Sequence, residues 1–193
     1  NLPVYVAISK RDDLSLKFYF HQLNERKKAS LSTLKLKKED RWANVVKAII
    51  SGFISMGYDL FGMDITVYSE ILPSAGFGIT SAIKCASAIA INELFALNCS
   101  EQQILQVIER GNRRFLQTNN YIADNYAALF SKKGNLIITD HSKSSWDYVP
   151  FSFEDKKIFL VDTKVPRISV WDEETLFEPQ NALNLGDLRE NKN

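Results

Sequence analysis

The order of elements along the chain predicts an α+β fold in which one mixed sheet carries helices on a single face. Three observations predict it. Two alternating apolar runs open the chain, three helical segments follow one another over residues 78–130, and strand-like runs return after them. The strict β-α alternation of a doubly wound parallel sheet is absent, and so is a G-x-G-x-x-G turn. At 193 residues, 45% hydrophobic and 24% charged, the chain is about one domain in size and long enough to bury roughly two-thirds of its unfolded surface.

Each element has its own signal. Val4 to Ser9 and Leu14 to His21 read as strands, with Arg11-Asp12-Asp13 as the turn between them. In the second run Leu14, Leu16, Phe18 and Phe20 alternate with Ser15, Lys17 and Tyr19, so one face is expected to be buried. Arg26-Lys27-Lys28 and Lys35, Lys37 and Lys38 surround a short third strand. As a polyanion patch this stretch lacks interleaved aromatics, so it reads better as a solvated segment balanced by Glu25, Glu39 and Asp40.

Asp40 is placed to cap a helix running to about Met56, whose apolar face is Trp42, Val45, Val46, Ile49, Ile50 and Phe53. Gly57 and Gly62 bracket the next turn, and Met63 to Tyr68 is a strand. A long helix is expected from Gly78 to Leu97, packing through Ala82, Ile83, Ala86, Ile89, Ala90 and Leu94. Ser100 and Gln103 form a capping box for a helix from Glu101 to about Leu116, and another covers Tyr121 to Phe130. Strands are expected at Asn135 to Asp140, Trp146 to Phe151 and Lys157 to Thr163. Residues 173–193 are polar, in keeping with a linker or an incomplete element.

Bulk properties exclude several classes of function. The net charge is +1, which gives no overall field for nucleic acid or a membrane surface. No apolar run approaches the roughly 18 residues of a membrane span. Two cysteines make no disulfide framework, so a reducing, cytoplasmic location is expected. Asn98-Cys99-Ser100 matches a glycosylation sequon but has no secretory context.

One segment carries chemistry: Ile71-Leu72-Pro73-Ser74-Ala75-Gly76-Phe77-Gly78-Ile79-Thr80-Ser81-Ala82. It follows a strand and opens the long helix. Proline fixes the entry, and Gly76 and Gly78 let backbone N–H groups face inward. The helix start adds unpaired donors and partial positive charge, which together suit a phosphate. Thr80 and Ser81 put hydroxyls in the first turn, where a Mg2+-phosphate can sit. The same residues also suit a tight connection with helix caps, and no G-K-[ST] follows as in a Walker A loop.

This segment resembles the central motif P-x-G-x-G-L-x-S-S-A of the kinase superfamily that includes galactokinase, mevalonate kinase and homoserine kinase. The likeness extends along most of residues 1–165. Trp42-Ala43-Asn44-Val45-Val46-Lys47 is similar to W-x-N-Y-V-K of galactokinases, and Phe115 to Tyr126 resembles F-V-G-x-x-C-G-I-M-D-Q-F. Leu136 to Asp140 and Ile158 to Asp162 fall where two later strands fall.

The resemblance implies a fold like ribosomal protein S5 domain 2. It implies ATP-dependent transfer to the anomeric hydroxyl of galactose or a related sugar, with ATP and Mg2+ as cofactors. It places Asp124 as the catalytic aspartate, Asn120 and Tyr121 on the sugar side, and Ser74, Ala75, Gly76, Phe77, Gly78, Thr80 and Ser81 at the phosphates. Thr80, Ser81 and Asn112 stand where a metal would be held. It also divides the chain into an ATP-loop domain at residues 1–165 and, at residues 166–193, a linker or the start of a C-terminal domain. More chain is expected before Asn1, where the family carries R-x-N-L-I-G-E-H-x-D-Y.

The departures are specific. Read without gaps from Pro73, Ala75 and Phe77 replace the loop's two glycines. Asn112 replaces a magnesium-binding glutamate, and Tyr121 replaces the glycine before Ile-Met-Asp. Three readings follow: a galactokinase-like sugar kinase, a non-catalytic relative that binds sugar or nucleotide, and an RNA-associated module drawing on the basic stretch. Asp124, Gly76, Gly78 and Thr80 favour the first; Phe77, Asn112 and Tyr121 favour the second.

Overall fold

A computed structural model of the chain describes residues 2–71, 77–118, 122–140, 143, 145–152, 159 and 161. The expected strand at Lys157 to Thr163 and the tail beyond it lie outside the described residues, apart from Phe159 and Val161. Strands β1 (Val4–Lys10), β2 (Ser15–Phe20), β3 (Glu25–Ser30) and β4 (Met63–Ser69) form one sheet in the order β1-β4-β2-β3. β4 is antiparallel to β1 and parallel to β2, and β2 is antiparallel to β3. The sheet is therefore mixed. Helix α1 (Ala43–Ser55) lies in the connection that a parallel β2–β4 pair requires.

Period-two patterning decides which face is dry. Leu16, Phe18 and Phe20 of β2 and Met63, Ile65 and Val67 of β4 are buried against the helices. The opposite face keeps Tyr5, Tyr68, Tyr19 and His21 in edge or tilted ring contact at 5.4–6.2 Å. Arg26 lies over the Tyr19 ring at 5.1 Å. Part of the basic stretch thus does meet aromatics, across strands rather than along the sequence, because Tyr19 and Arg26 are register partners.

Asp40 does not cap α1. It closes a short 3-10 turn, Lys38–Asp40, and Trp42 occupies the N-cap without a side-chain hydrogen bond. Asp40 is spent elsewhere: its Oδ2 accepts from Lys47 Nζ at 2.7 Å, and both side chains are buried. Lys47 also donates to Asn44 Oδ1 at 3.0 Å, while Asn44 Nδ2 donates to the Lys37 carbonyl at 2.7 Å. Trp42 packs edge-on against Phe18 and Phe20, and its Nε1 donates to Glu25 at 2.9 Å. The W-x-N-x-x-K spacing is thus a device that locks the start of α1 to the sheet.

The predicted face of α1 is buried throughout, from Trp42 to Phe53. The long helix, α2 (Ile79–Leu94), starts and stops close to expectation but presents a different stripe. Ile89 is half-exposed, whereas Ile79, Ile83, Ser87, Ala88 and Ile91 are buried. Packing of α2 against β1, α1 and two later helices turns the buried arc away from Ile89 and leaves Ala82, Ala86, Ala90 and Leu94 only partly covered. Helix α3 (Glu101–Gly111) has the predicted capping box. Its expected last turn continues as a π-helical turn, Asn112–Leu116, ended by Gln117 in the left-handed region. Helix α4 (Ile122–Phe130) follows, then the antiparallel pair β5 (Asn135–Asp140) and β6 (Ser145–Pro150). That pair packs on α4 through Trp146, stacked on Phe130 at 4.1 Å, and through Tyr148 Oη, which donates to the Phe130 carbonyl.

Two glycines set the helix layer. A Cβ on Gly52 of α1 would meet the Val107 carbonyl oxygen at 2.3 Å, and one on Gly111 of α3 would meet that of Ala48 at 2.3 Å. Both contacts are with backbone, so neither helix can yield without moving as a whole. Gly111→Ala is expected to destabilise by about 1–3 kcal/mol, with Tm falling roughly 2–4 °C per kcal/mol at this size. Glu93→Ala, on an exposed helix position, should change Tm by little. Thermal unfolding followed by circular dichroism checks both.

Candidate functional site

Gly78 opens α2 in the left-handed conformation, φ 66° and ψ 27°, and no side chain caps the first turn. The turn therefore offers N–H donors and the positive end of sixteen residues of aligned peptide dipoles. Ser74, Ala75 and Gly76, and with them the entry to the expected phosphate loop, lie outside the described residues. Phe77 is half-exposed.

The fold brings a carboxylate to this helix start. Among the described residues, the atoms nearest to where a Gly78 Cβ would stand are Asp124 Oδ2 and Cγ, at 3.8 and 3.9 Å. Asp124 sits in the first turn of α4, is exposed, and takes part in no ion pair among the described residues. About two α-helical turns further along α2, Cys85 Sγ contacts the Asn125 carbonyl at 3.8 Å, forty residues apart in sequence. The first two turns of α2 thus lie along the start of α4. Asn120 and Tyr121, expected on the sugar side, fall outside the described residues.

The seam between these helices is polar. Thr80 Oγ1, Ser87 Oγ and Asn125 Oδ1 are buried and find no hydrogen-bond partner among the described residues. Leaving such a group unpaired costs about 1–3 kcal/mol; Thr80 lies in the first turn of α2, and Ser87 about two turns further along it. Ser81 is buried at 9% exposure, and Lys84 at 6%. The sequence motifs assign no role to Lys84 or Asn125. A lysine at the fourth position after Thr80, on a helix otherwise built of small and apolar residues, was the available signal.

Asn112 opens the π-helical turn and is buried at 1% exposure. Wide turns of this kind recur at functional sites. Its amide is a neutral donor set where magnesium prefers carboxylate oxygen. Among the described residues no group of three or more His, Cys, Asp and Glu is placed to hold a metal ion. Thr80 and Ser81 offer hydroxyl oxygens, Asn112 an amide and Asp124 one exposed carboxylate, so a magnesium ion held here would take most of its ligands from phosphate and water.

Comparison with known proteins gives the family. The family model for the GHMP kinases N terminal domain matches residues 43–132, the span from α1 through α4. The chain belongs to the GHMP kinases, in their N-terminal domain. A Treponema pallidum protein that bears the galactokinase name provisionally is 38% identical over 170 residues, 88% of this chain and 43% of its own length. The Thermosipho africanus galactokinase is 32% identical over 161 residues, 83% of this chain and 45% of that protein. The chain therefore spans less than half the length of these curated relatives.

Solved structures agree on the GHMP kinase fold. A Lactococcus lactis galactokinase complexed with galactose superposes with a TM-score of 0.71 at 20% identity, covering 98% of this chain and 50% of that one. A Methanococcus jannaschii mevalonate kinase gives 0.56 at 16% identity over 66% of this chain and 41% of that one. The expected mixed sheet with helices on one face is the fold of a GHMP kinase N-terminal domain, and within that family the chain is galactokinase-like.

Burial of Cys85 gives a probe of the α2–α4 seam. Burial pushes its thiol from the usual 9.0 up to about 12, against a smaller opposing effect of the Lys84 charge. Between those values the unfolded chain sheds the proton and the folded chain keeps it, so stability from this group falls as pH rises from 9.0 to 12. At pH 8 Cys85 is expected to resist iodoacetamide in the folded protein and to react on unfolding. Peptide mapping by mass spectrometry reads the label.

Proposed function

We propose that this chain is the ATP-loop half of a galactokinase-like sugar kinase, transferring the γ-phosphoryl group of ATP to the anomeric hydroxyl of galactose or a related sugar. One observation carries the reading: the Asp124 carboxylate stands against Gly78, at the N-terminus of α2. The phosphate end of a nucleotide at that helix start and a hydroxyl at Asp124 would be neighbours, which is the placement in-line transfer needs. Asp124 accepts or orients the hydroxyl proton, and the α2 dipole with its uncapped N–H groups steadies phosphate charge. Phosphoryl transfer asks little covalent chemistry of the protein, so positioning and electrostatics are its main contributions.

Support comes from the relatives named above, whose names describe galactokinases, and from the L. lactis structure, which is titled as a complex with galactose. ATP is the phosphoryl donor in this reading. Magnesium, also expected, finds no carboxylate set among the described residues and would arrive only with the nucleotide. The proposed division near residue 165 falls on residues outside those described. No helix among the described residues is long and apolar enough to cross a membrane; a cytoplasmic location belongs to this proposal.

A second reading is a non-catalytic sugar or nucleotide binder, favoured by the amide of Asn112 where a carboxylate would hold metal. Phosphate transfer from labelled ATP to galactose and related aldoses, in the full-length protein, separates the two. Slow turnover is expected, with Asp124→Asn reducing it by roughly 100-fold or more. Transfer that survives the substitution removes Asp124 from the mechanism. Binding of sugar or ATP with no transfer favours the second reading.

A further inference from the structure

We propose that the open face of the β1-β4-β2-β3 sheet binds single-stranded nucleic acid, its rings stacking on bases and its cations taking phosphates. The inference stands apart from the kinase reading and gives the domain a second ligand.

The helices pack on one face of the sheet, against Leu16, Phe18, Phe20, Met63, Ile65 and Val67. Strand alternation sends the intervening residues to the other face. There Tyr5, Tyr68, His21, Arg26, Lys17 and Lys28 are exposed. Four rings cross the sheet in one line. Tyr5 on β1 meets Tyr68 on β4 at 6.0 Å, Tyr68 meets His21 at 5.4 Å, and His21 meets Tyr19 on β2 at 6.2 Å. The Arg26 guanidinium on β3 closes the line, 5.1 Å over the Tyr19 ring. Tyr5 is 56% exposed and Tyr68 40%, so both present ring surface to an incoming group.

Positive charge flanks the line. Lys17 and Lys28 are register partners, two residues along β2 and β3 from the Tyr19–Arg26 pair. Like charges set directly opposite on a sheet repel, and an anion lying over them relieves that repulsion. Lys27, between Arg26 and Lys28, turns away and donates to the Glu39 carbonyl at 2.7 Å. Two carboxylates border the patch: Asp64, opposite Lys17 and held by Arg11 at 3.0 Å, and Glu70, just past β4. The chain as a whole carries only +1, so the attraction is local to this flank.

The combination selects the partner. Open four-stranded sheets with exposed rings stack unpaired bases, and cations beside the rings follow the backbone. A neutral glycan would use the rings and leave the cations idle. A membrane surface would need aliphatic side chains to bury, and Val4, Val6 and Ile8 of β1 pack on the helix side instead. A duplex hides its base faces, which favours single strands.

Fluorescence anisotropy of the full-length protein with a labelled single-stranded RNA of about a dozen nucleotides tests this. Single-stranded DNA, duplex RNA and phosphatidylserine vesicles are run alongside. Single strands of either sugar should bind at least tenfold more tightly than duplex. Log K should fall against log[salt] with a slope of about −2, as three phosphate contacts give. Replacing Tyr5 and Tyr68 together by Thr keeps strand-forming residues and should weaken binding tenfold or more. Arg26→Ala and Lys28→Ala should each reduce the slope by about 0.7; circular dichroism checks that each variant is folded. Ultraviolet cross-linking of the wild type, mapped by mass spectrometry, needs no variant and should mark the peptides of β1 and β4. Cross-links confined to other segments overturn the proposal, and so does unchanged binding by the folded double variant. Equal binding of duplex overturns it, as does no binding of single strands at about 50 mM salt. Binding to vesicles without binding to nucleic acid overturns it in favour of a membrane surface.

Discussion

The close approach of α1 and α3 is the constraint on which the rest of the molecule depends. Gly52 and Gly111 bring backbone against backbone, each leaving no room for even a Cβ. α3 ends at Gly111, within that contact, and the π-helical turn from Asn112 to Leu116 begins at the next residue. Phe115, in that turn, lies 5.6 Å from Lys47 Nζ, so the turn is also keyed to the buried ion pair at the start of α1. α4 follows a few residues later and arrives with Asp124 against Gly78. A shift of α3 along α1 would be passed on to that carboxylate, because well-packed interiors transmit displacement rather than absorb it.

Lys47 and Asp40 contribute little net stability, since desolvation offsets most of their attraction, yet removing one partner typically costs about 3–5 kcal/mol. With Asn44 reaching back to the Lys37 carbonyl and Trp42 reaching Glu25, the pair specifies one geometry for the chain entering α1. The motif that resembles galactokinases at Trp42 to Lys47 is thus explained by architecture, and it needs no role in the chemistry.

Legibility in the sequence divided along physical lines. Strand alternation in β2, the apolar face of α1 and the Ser100–Gln103 capping box were readable because each is a local pattern with one structural solution. Asp40 was misread because the same residue type serves helix caps and buried ion pairs, and a partner seven residues away carries no local signature. The stripe on α2 is right at Ile83 and wrong at Ile89, because a helix packed on several sides does not declare its buried arc by hydrophobicity alone. The aromatic and basic groups meeting across β2 and β3 were invisible in one dimension, since Tyr19 and Arg26 are neighbours only through strand register. At the site, the glycine junction and Asp124 were legible through resemblance. Lys84, Asn125 and the π-helical turn were not, because burial of polar groups depends on tertiary packing.

In the proposed reading the start of α2 and Asp124 form one phosphoryl-transfer site. A crystal structure of the full-length protein with a non-hydrolysable ATP analogue and galactose tests it most directly. The triphosphate is expected at the N-terminus of α2, with the sugar's anomeric oxygen in hydrogen-bond reach of Asp124 and about 3–3.5 Å from the γ-phosphorus. A nucleotide bound away from that helix start, or a sugar whose anomeric hydroxyl points away from Asp124, would contradict it.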